Sequence, residues 1–341
     1  AALENGYHPT SIIVDAPIDF ETYQGLWSPK NATDNWFGVA PLRKGLEFSR
    51  NLMTIRLANE IGIDEVAKYA NIFNIYENMP KLLSYSIGAG ETTLINMVSA
   101  YSSFANGGFE VKPSFVDRVQ NRNGETIFSN DFLKCENCIS ENKKIKLPLL
   151  KEKNQRILDP VTVYRINSML QGVVKRGTAS NTVGKLKYSI AGKTGTTNKA
   201  KDAWFIGYTP ELVVGCYIGF DTPKPLGNNA SGGKLCGAPV SSFFEKIIKK
   251  DINWEKPSNT ISIFVNKDTG VRVDKNFKAD DVISELFRKG EEPNVGEAAN
   301  FIDGGFSMGQ DLIINENNKT YFKNDQYKRP TTGGLITGDL Y

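Results

Sequence analysis

The chain has 341 residues, a net charge of +3, 40% hydrophobic and 23% charged residues. That length buries a substantial core and suits one large domain with an appendage, or two ordinary ones. The small, scattered positive balance argues against a nucleic-acid partner, and the chain starts with neither a signal peptide nor a run apolar enough to cross a membrane.

Residues 1–40 are rich in turn formers, among them Pro9, Pro17 and Pro29, after an opening Ala1-Ala2-Leu3-Glu4 that reads as the last turn of a helix. Trp27, Trp36 and Phe37 are expected as core anchors in preference to a groove wall. From Pro41 the spacing turns helical, with Leu42 and Leu46 on one face and then Leu52, Ile55 and Ile61 before Gly62. Ser49-Arg50-Asn51 lies between these runs. Its serine is either the N-cap of the second helix or a hydroxyl presented, with Asn51, into a cleft. A third helix follows Asp64 and ends near Phe73. Residues 91–105 form an amphipathic helix whose stripe of Leu94, Met97, Val98, Tyr101 and Phe104 is expected in the core.

Residues 109–158 change character. Short alternating strands, an Asn123-Gly124 hairpin signal and a lysine-rich loop make them a β-rich insertion. Asp159-Pro160 opens the next helix, with Val163, Ile166, Leu170 and Val173 inward. Ala203–Tyr208 and Leu212–Phe220 read as antiparallel strands, Ser231-Gly232-Gly233 as a loop, and Pro239–Lys250 as a helix burying Val240, Phe243, Phe244 and Ile247. Ile261–Val265 with Asp268-Thr269-Gly270 suggests a short hairpin. Residues 251–341 are a C-terminal extension, polar from about Asn294 and expected to be partly disordered there.

Four cysteines and one histidine narrow the chemistry. Cys135-x-x-Cys138 supplies only two soft ligands and His8 is distant, so no metal site is expected; a local disulfide or two free thiols is preferred to a redox motif. Cys216, in an apolar strand, reads as a small core residue. A histidine-based triad would rest on His8 beside Pro9, so an acyl-transfer enzyme built on this chain would take its base from lysine.

The stretch from Tyr188 to Thr197 is an unusual strand. Alternation puts Thr194 and Thr196 on one face and Lys193 with Gly195 on the other. An edge strand of this kind could take an extended peptide as one more strand, its hydroxyls holding a carboxylate and Lys193 adding positive charge. On Lys193-Thr194-Gly195 alone, an ordinary exposed strand is the simpler reading.

Taken in order, Ser49-Arg50-Asn51, the long helix and Lys193-Thr194-Gly195 followed by Asp202-Ala203-Trp204-Phe205 resemble the transpeptidase domain of a bifunctional (class A) penicillin-binding protein of the peptidoglycan synthase 1A type. The resemblance extends to Asn5-Gly6-Tyr7, Trp27-Ser28-Pro29-Lys30-Asn31, Leu42-Arg43, Ser86-Ile87-Gly88-Ala89, Phe104-Ala105-Asn106-Gly107-Gly108, Gly177-Thr178-Ala179, Gly207-Tyr208-Thr209-Pro210 and Gly232-Gly233, with a fainter echo in Phe287 to Pro293. It implies an α/β (α+β) penicillin-binding fold over residues 1–250, an antiparallel sheet flanked by helices with a helical lobe. The family's Ser-x-x-Lys motif is not found in its place, on the helix leading into Ala-Ala-Leu-Glu-Asn-Gly-Tyr. The nucleophile, a glycosyltransferase domain and a membrane anchor are therefore expected upstream, and residues 1–341 alone are expected to form no acyl-enzyme.

By the same resemblance the reaction is acyl transfer at D-Ala-D-Ala of peptidoglycan stem peptides, on the periplasmic face of the bacterial inner membrane and without a cofactor. Ser49 would relay a proton, Asn51 bind the substrate amide, and Lys193 orient Ser49. Thr194, Gly195, Thr196 and Thr197 would form the substrate strand, its hydroxyls on the carboxylate and the Thr196 N–H in the oxyanion hole. Implied partners are stem peptides and β-lactams, with further copies of the chain or cell-wall assembly proteins. A D,D-carboxypeptidase or β-lactamase-like hydrolase, or a noncatalytic peptide-binding module, are the alternatives.

Overall fold

A computed structural model describes residues 1–22, 25–130, 133–136, 149–152, 155–274, 281–299, 301–302, 312–314 and 320–322. A 3-10 turn, Ala2–Asn5, ends at Gly6, whose φ of 83° is the left-handed conformation that needs no Cβ. Strand β1 (Ile12–Asp15), the hairpin of β2 (Phe20–Thr22) with β3 (Gly25–Trp27), and β4 (Gly38–Pro41) follow. β1 and β4 pair antiparallel, Ile13 opposite Ala40. Helices α1 (Leu42–Glu47), α2 (Asn51–Ile61) and α3 (Ile63–Ile72) come next. Leu52, Met53 and Ile55 of α2 are fully buried, as their near-helical spacing requires. Helix α4 (Leu94–Ala105) starts where the Thr93 hydroxyl accepts from the Asn96 N–H at 3.2 Å.

Hairpins β5 (Arg118–Gln120) with β6 (Thr126–Ser129) and β7 (Leu133–Glu136) with β8 (Leu149–Glu152) lie between α4 and α5. The sequence expectation for Cys135 and Cys138 lies outside the described residues. Helix α5 (Pro160–Lys175) has the Asp159 carboxylate accepting from the Val161 N–H at 2.8 Å and proline in its first turn, where no N–H is missed. Val163, Leu170 and Val173 are buried along its inner face.

The sheet that carries the site has the order β11–β10–β9, with β9 (Ala191–Thr196) at its edge, β10 (Asp202–Tyr208) central and β11 (Val213–Gly219) beyond. Thr194 stands opposite Phe205 and Lys193 opposite Ile206. Phe205 belongs to the main core with Leu170, Val173, Ile190, Tyr208 and Phe244; α7 packs on the face of Phe205 and Gly207, where Phe244 lies, while Tyr208 on the other face meets Asn167 of α5 and Tyr101 of α4. Helices α6 (Gly232–Leu235) and α7 (Gly237–Ile247) return against the sheet. Strands β12 (Thr260–Asn266) and β13 (Val282–Arg288) pair antiparallel, and β14 (Phe301–Ile302) pairs parallel with β1. The fold is mixed α/β with small, mainly antiparallel sheets.

Several expectations are corrected. Cys216 is not a lone core thiol: it forms a disulfide with Cys236, Cα atoms 5.5 Å apart, because β11 and the α6–α7 junction meet on the sheet. Ser231-Gly232-Gly233 is not a loop but the capped start of α6, the Ser231 hydroxyl accepting from the Lys234 N–H. Phe243 and Ile247 are 44% and 50% exposed, since α7 offers only Val240 and Phe244 to the core. Trp36 is 48% exposed, so it anchors no core. On α4 the buried positions are Ser99, Ala100, Ser103 and Ala105, small residues that allow close approach, while the apolar stripe is half-buried. After Asp268-Thr269-Gly270 only an isolated bridge joins Val265 to Arg272, and the main partner of β12 is β13. In the expected tail, Phe301 and Ile302 are paired with β1, and the rest beyond them lies largely outside the described residues.

Candidate active site

The turn between α1 and α2 sets Ser49. Its N–H donates to the Leu46 carbonyl at 3.2 Å and the Arg50 N–H to the Gly45 carbonyl at 2.8 Å, a Schellman closure of α1 with Ser49 in the slot that normally takes glycine. Accordingly Ser49 has φ 55°. It is not the N-cap of α2; Arg50 holds that position, without a side-chain cap. The hydroxyl is left for another task, and Lys193 Nζ donates to it at 2.8 Å.

Both flanks of Ser49 are anchored by charge. On one side the Arg50 guanidinium donates to Asp15 Oδ2 at 2.8 Å and lies over the Phe37 ring at 4.4 Å, while Asn31 Nδ2 donates to Asp15 Oδ1. On the other, Glu47 accepts from Arg43 at 3.2 Å and from Arg176 at 2.5 Å. Asn51 is tethered by Nδ2 to the Lys30 carbonyl at 2.9 Å.

On the strand side, Lys193 Nζ also donates to the Thr194 carbonyl at 3.0 Å. Burial of the ammonium lowers Lys193 to about 8. The Thr194 and Thr178 hydroxyl oxygens lie 2.6 Å apart. Thr196 Oγ1 accepts from the Gly232 N–H at 3.0 Å, and Thr197 Oγ1 accepts from the Asp202 N–H at 2.8 Å. Gly195 stands opposite Trp204, and a methyl on it would lie 3.1 Å from the Trp204 Cβ. Ser49, Lys193 and Thr194 are thus joined through hydrogen bonds, with Asn51 two residues from Ser49 and Thr196 two residues beyond Thr194 on the same strand face. Thr197 sits past the strand end, with its hydroxyl oxygen on the Asp202 N–H at the turn into β10.

Thr178, Arg176 and Glu47 join this cluster although no role was expected of them from the sequence. The Gly177-Thr178-Ala179 match was a signal without an assigned task, because the segment meets β9 only in three dimensions. His8 is remote from this cluster, stacked on Phe287 at 4.9 Å, and burial lowers it to about 4. An apolar cavity of about 220 Å³ lies beside α1 and α2, with Leu3, Ile13, Leu46, Met53, Phe104 and Met169 among its walls. No helix among the described residues is long and apolar enough to cross a membrane.

With helix junction and edge strand sharing a serine–lysine hydrogen bond, the class of fold is defined, and residues 1–244 match the penicillin binding protein transpeptidase domain. The chain belongs to that family. Similar proteins include penicillin-binding protein 1A of Rickettsia bellii, 42% identical over 79% of this chain, and that of Pseudomonas aeruginosa, 33% identical over 77%. In each case the match spans 35% of the relative's length, so the chain corresponds to about a third of these relatives. Among solved structures, penicillin-binding protein 1A of Haemophilus influenzae superposes with a TM-score of 0.71 at 25% identity, covering 87% of this chain and 47% of that one. PonA1 of Mycobacterium tuberculosis in complex with penicillin V shares the fold, with a TM-score of 0.59 at 21% identity over 75% of this chain and 68% of that one.

Proposed function

We propose that this chain is the transpeptidase part of a bifunctional peptidoglycan synthase, a serine D,D-transpeptidase that cross-links stem peptides at D-Ala-D-Ala and is acylated by penicillins. The observation that carries this reading is the 2.8 Å hydrogen bond from Lys193 Nζ to Ser49 Oγ, which joins two motifs 144 residues apart in one cleft.

Each group then has a task that its hydrogen bonds permit. Lys193 donates to Ser49 Oγ, so the Ser49 proton is free to pass to the leaving amine while Lys193 fixes the hydroxyl. Thr196 Oγ1 accepts from the backbone, which leaves its O–H to donate outward. Thr178 and Thr194 share one hydrogen between two hydroxyls, so one O–H of that pair also remains available. Two hydroxyl donors beside an ammonium suit a terminal carboxylate, by charge-assisted hydrogen bonds. Asn51 would orient the substrate amide, and the Thr196 N–H would stabilise the tetrahedral oxyanion.

Ser49 serves as the relay in this scheme. The reaction also requires an acylated serine and a lysine base of a Ser-x-x-Lys motif, neither of which is among the groups brought together in this cleft. Lys193 would be the positive neighbour that helps keep that second lysine neutral enough to act as a base. The Cys216–Cys236 disulfide fits an oxidising compartment, in keeping with the periplasmic face of a bacterial inner membrane.

The test is to incubate the full natural polypeptide with D-Ala-D-Ala stem peptides and an amine acceptor. Cross-linked product and stoichiometric covalent labelling by penicillin are expected. Hydrolysed stem peptide without cross-links would assign the carboxypeptidase reading instead, and absence of any penicillin adduct would end the acyl-enzyme reading.

A further inference from the structure

Beyond the span that matches the family, a strand pair reaches back to the cleft. Glu285 on β13 is buried, its side chain 2% exposed, and both its oxygens accept from Arg43 of α1: Oε2 from Nη2 at 2.8 Å, Oε1 from Nε. Arg43 also donates to Glu47 Oε1 at 3.2 Å and to the Ser168 carbonyl at 2.9 Å. Glu47 passes the connection to Arg176, and the Glu47 carbonyl accepts from the Thr178 N–H at 3.2 Å. Two glycines of the α5 region are shaped to this carboxylate and carbonyl. A Cβ on Gly172 would lie 1.8 Å from Glu47 Oε1, and one on Gly177 would lie 2.1 Å from the Glu47 carbonyl oxygen.

The network ends on both walls of the cleft. Glu47 lies two residues before Ser49, and Thr178 two residues after Arg176, with its hydroxyl 2.6 Å from that of Thr194. Four side-chain charges sum to zero, two arginines against two carboxylates. Removing Glu285 would leave Arg43 buried with one carboxylate in place of two, so α1 would shift to recover solvent or a partner. Ser49 holds a backbone conformation that only a fixed surrounding maintains, so a shift at α1 reaches it directly. A second link, from Arg165 Nε on α5 to the Leu286 carbonyl at 3.0 Å, ties the same strand to the helix that ends at Arg176.

We infer that Glu285 is a positioning residue of the active site, acting through Arg43 and Glu47 to hold Ser49 and Thr178 in register across the cleft. The inference rests on the proposed transpeptidase function for its kinetic consequence and on geometry alone for its structural one. It therefore has two readouts, both made on the full natural polypeptide with Glu285→Gln and the charge-keeping Glu285→Asp. Amide hydrogen exchange in Glu285→Gln is expected to rise at residues 45–51 and 176–180, with β10 residues 203–208 unchanged. The rate constant for covalent labelling by a fluorescent penicillin is expected to fall roughly ten- to hundredfold, as for a misplaced catalytic group, with its initial binding constant less affected. Glu285→Asp should recover part of both. If Glu285→Gln does not fold, Glu285→Asp must still loosen the same two segments. Exchange that rises equally in β10, or only within residues 282–288, would overturn the inference. A wild type that takes no label would defeat the transpeptidase reading, while the exchange pattern would still decide the role of Glu285.

Discussion

Ser49 occupies a position where a helix end favours glycine, and the strain has a measurable signature. In the left-handed region a non-glycine residue costs roughly 1 kcal/mol or more, so Ser49→Gly should be more stable than Ser49→Ala by about 1 kcal/mol, the reverse of the order expected in a helix interior. Both variants lose the Lys193 hydrogen bond, so comparing them by denaturant unfolding isolates the backbone term. Equal stabilities would mean that Ser49 is unstrained. Lys193 adds a pH signature. Its folded value is lowered by burial to about 8 against 10.5 for a free lysine, so between these values the unfolded chain holds more protons. Stability then rises as pH increases from about 8 to 10.5, on the order of 1–3 kcal/mol relative to a Lys193→Met variant measured in parallel. A difference between the two proteins that stays flat with pH would refute the lowered value. The Ser49–Lys193 pairing was legible in the motifs only through a family resemblance. The left-handed turn that frees the hydroxyl was not, because the same Ser-x-Asn pattern also fits an N-cap.

At the level of elements, β9, the proposed substrate strand, is held in place by α6 lying against it. A Cβ on Gly232 would lie 2.2 Å from the Trp204 carbonyl oxygen and 2.3 Å from that of Gly195, so helix and strand touch backbone to backbone. Gly232→Ala should push α6 off β9, remove the Gly232 N–H from Thr196, and cost roughly 1–3 kcal/mol as an overpacked contact. Weaker penicillin binding than for an exposed substitution such as Lys234→Ala would be the functional readout, and unchanged binding would count against a role for α6. The Cys216–Cys236 disulfide closes the same arrangement with a sequence separation of 20. Reduction, or Cys236→Ser, should lower stability by about 3 kcal/mol, read as a shift in the denaturant midpoint between oxidised and reduced protein. The strands, α5 and the hairpin at Asn123-Gly124 follow from alternation, capping and turn chemistry, all local rules. The disulfide and α6 escaped the sequence because pairing two singly spaced cysteines requires knowing that β11 and the start of α7 are neighbours.

The molecule as a whole is organised around charges that connect distant parts of the chain. Arg43 and Glu285 are 242 residues apart, yet both are buried and hydrogen-bonded to each other. Composition cannot reveal such a pair, since each residue alone reads as a solvated charge, and residues 251–341 read from the sequence only as a C-terminal extension. The β12–β13 unit packs on the rest of the chain: His8 stacks on Phe287, Arg165 donates to the Leu286 carbonyl, and Lys44 pairs with Asp268, just after β12, at 2.7 Å. The exposed Lys44–Asp268 pair adds little, because solvent screens it. The buried Arg43–Glu285 pair matters through what its loss leaves behind, a guanidinium in a site built for two carboxylates. A polypeptide ending at Lys250 should therefore be less stable than one ending at Ala299 by about 3–5 kcal/mol, the range for breaking a buried pair by removing one partner. Adding Arg43→Met to the shorter form, which removes the stranded charge, should restore part of that loss, whereas the same substitution in the longer form should only destabilise, because it strands Glu285. Thermal unfolding of the four proteins checks the sign of the effect in each background. Additive effects of truncation and substitution would show that the strand pair is held by its apolar contacts alone, and would remove the reason to count it with the catalytic scaffold.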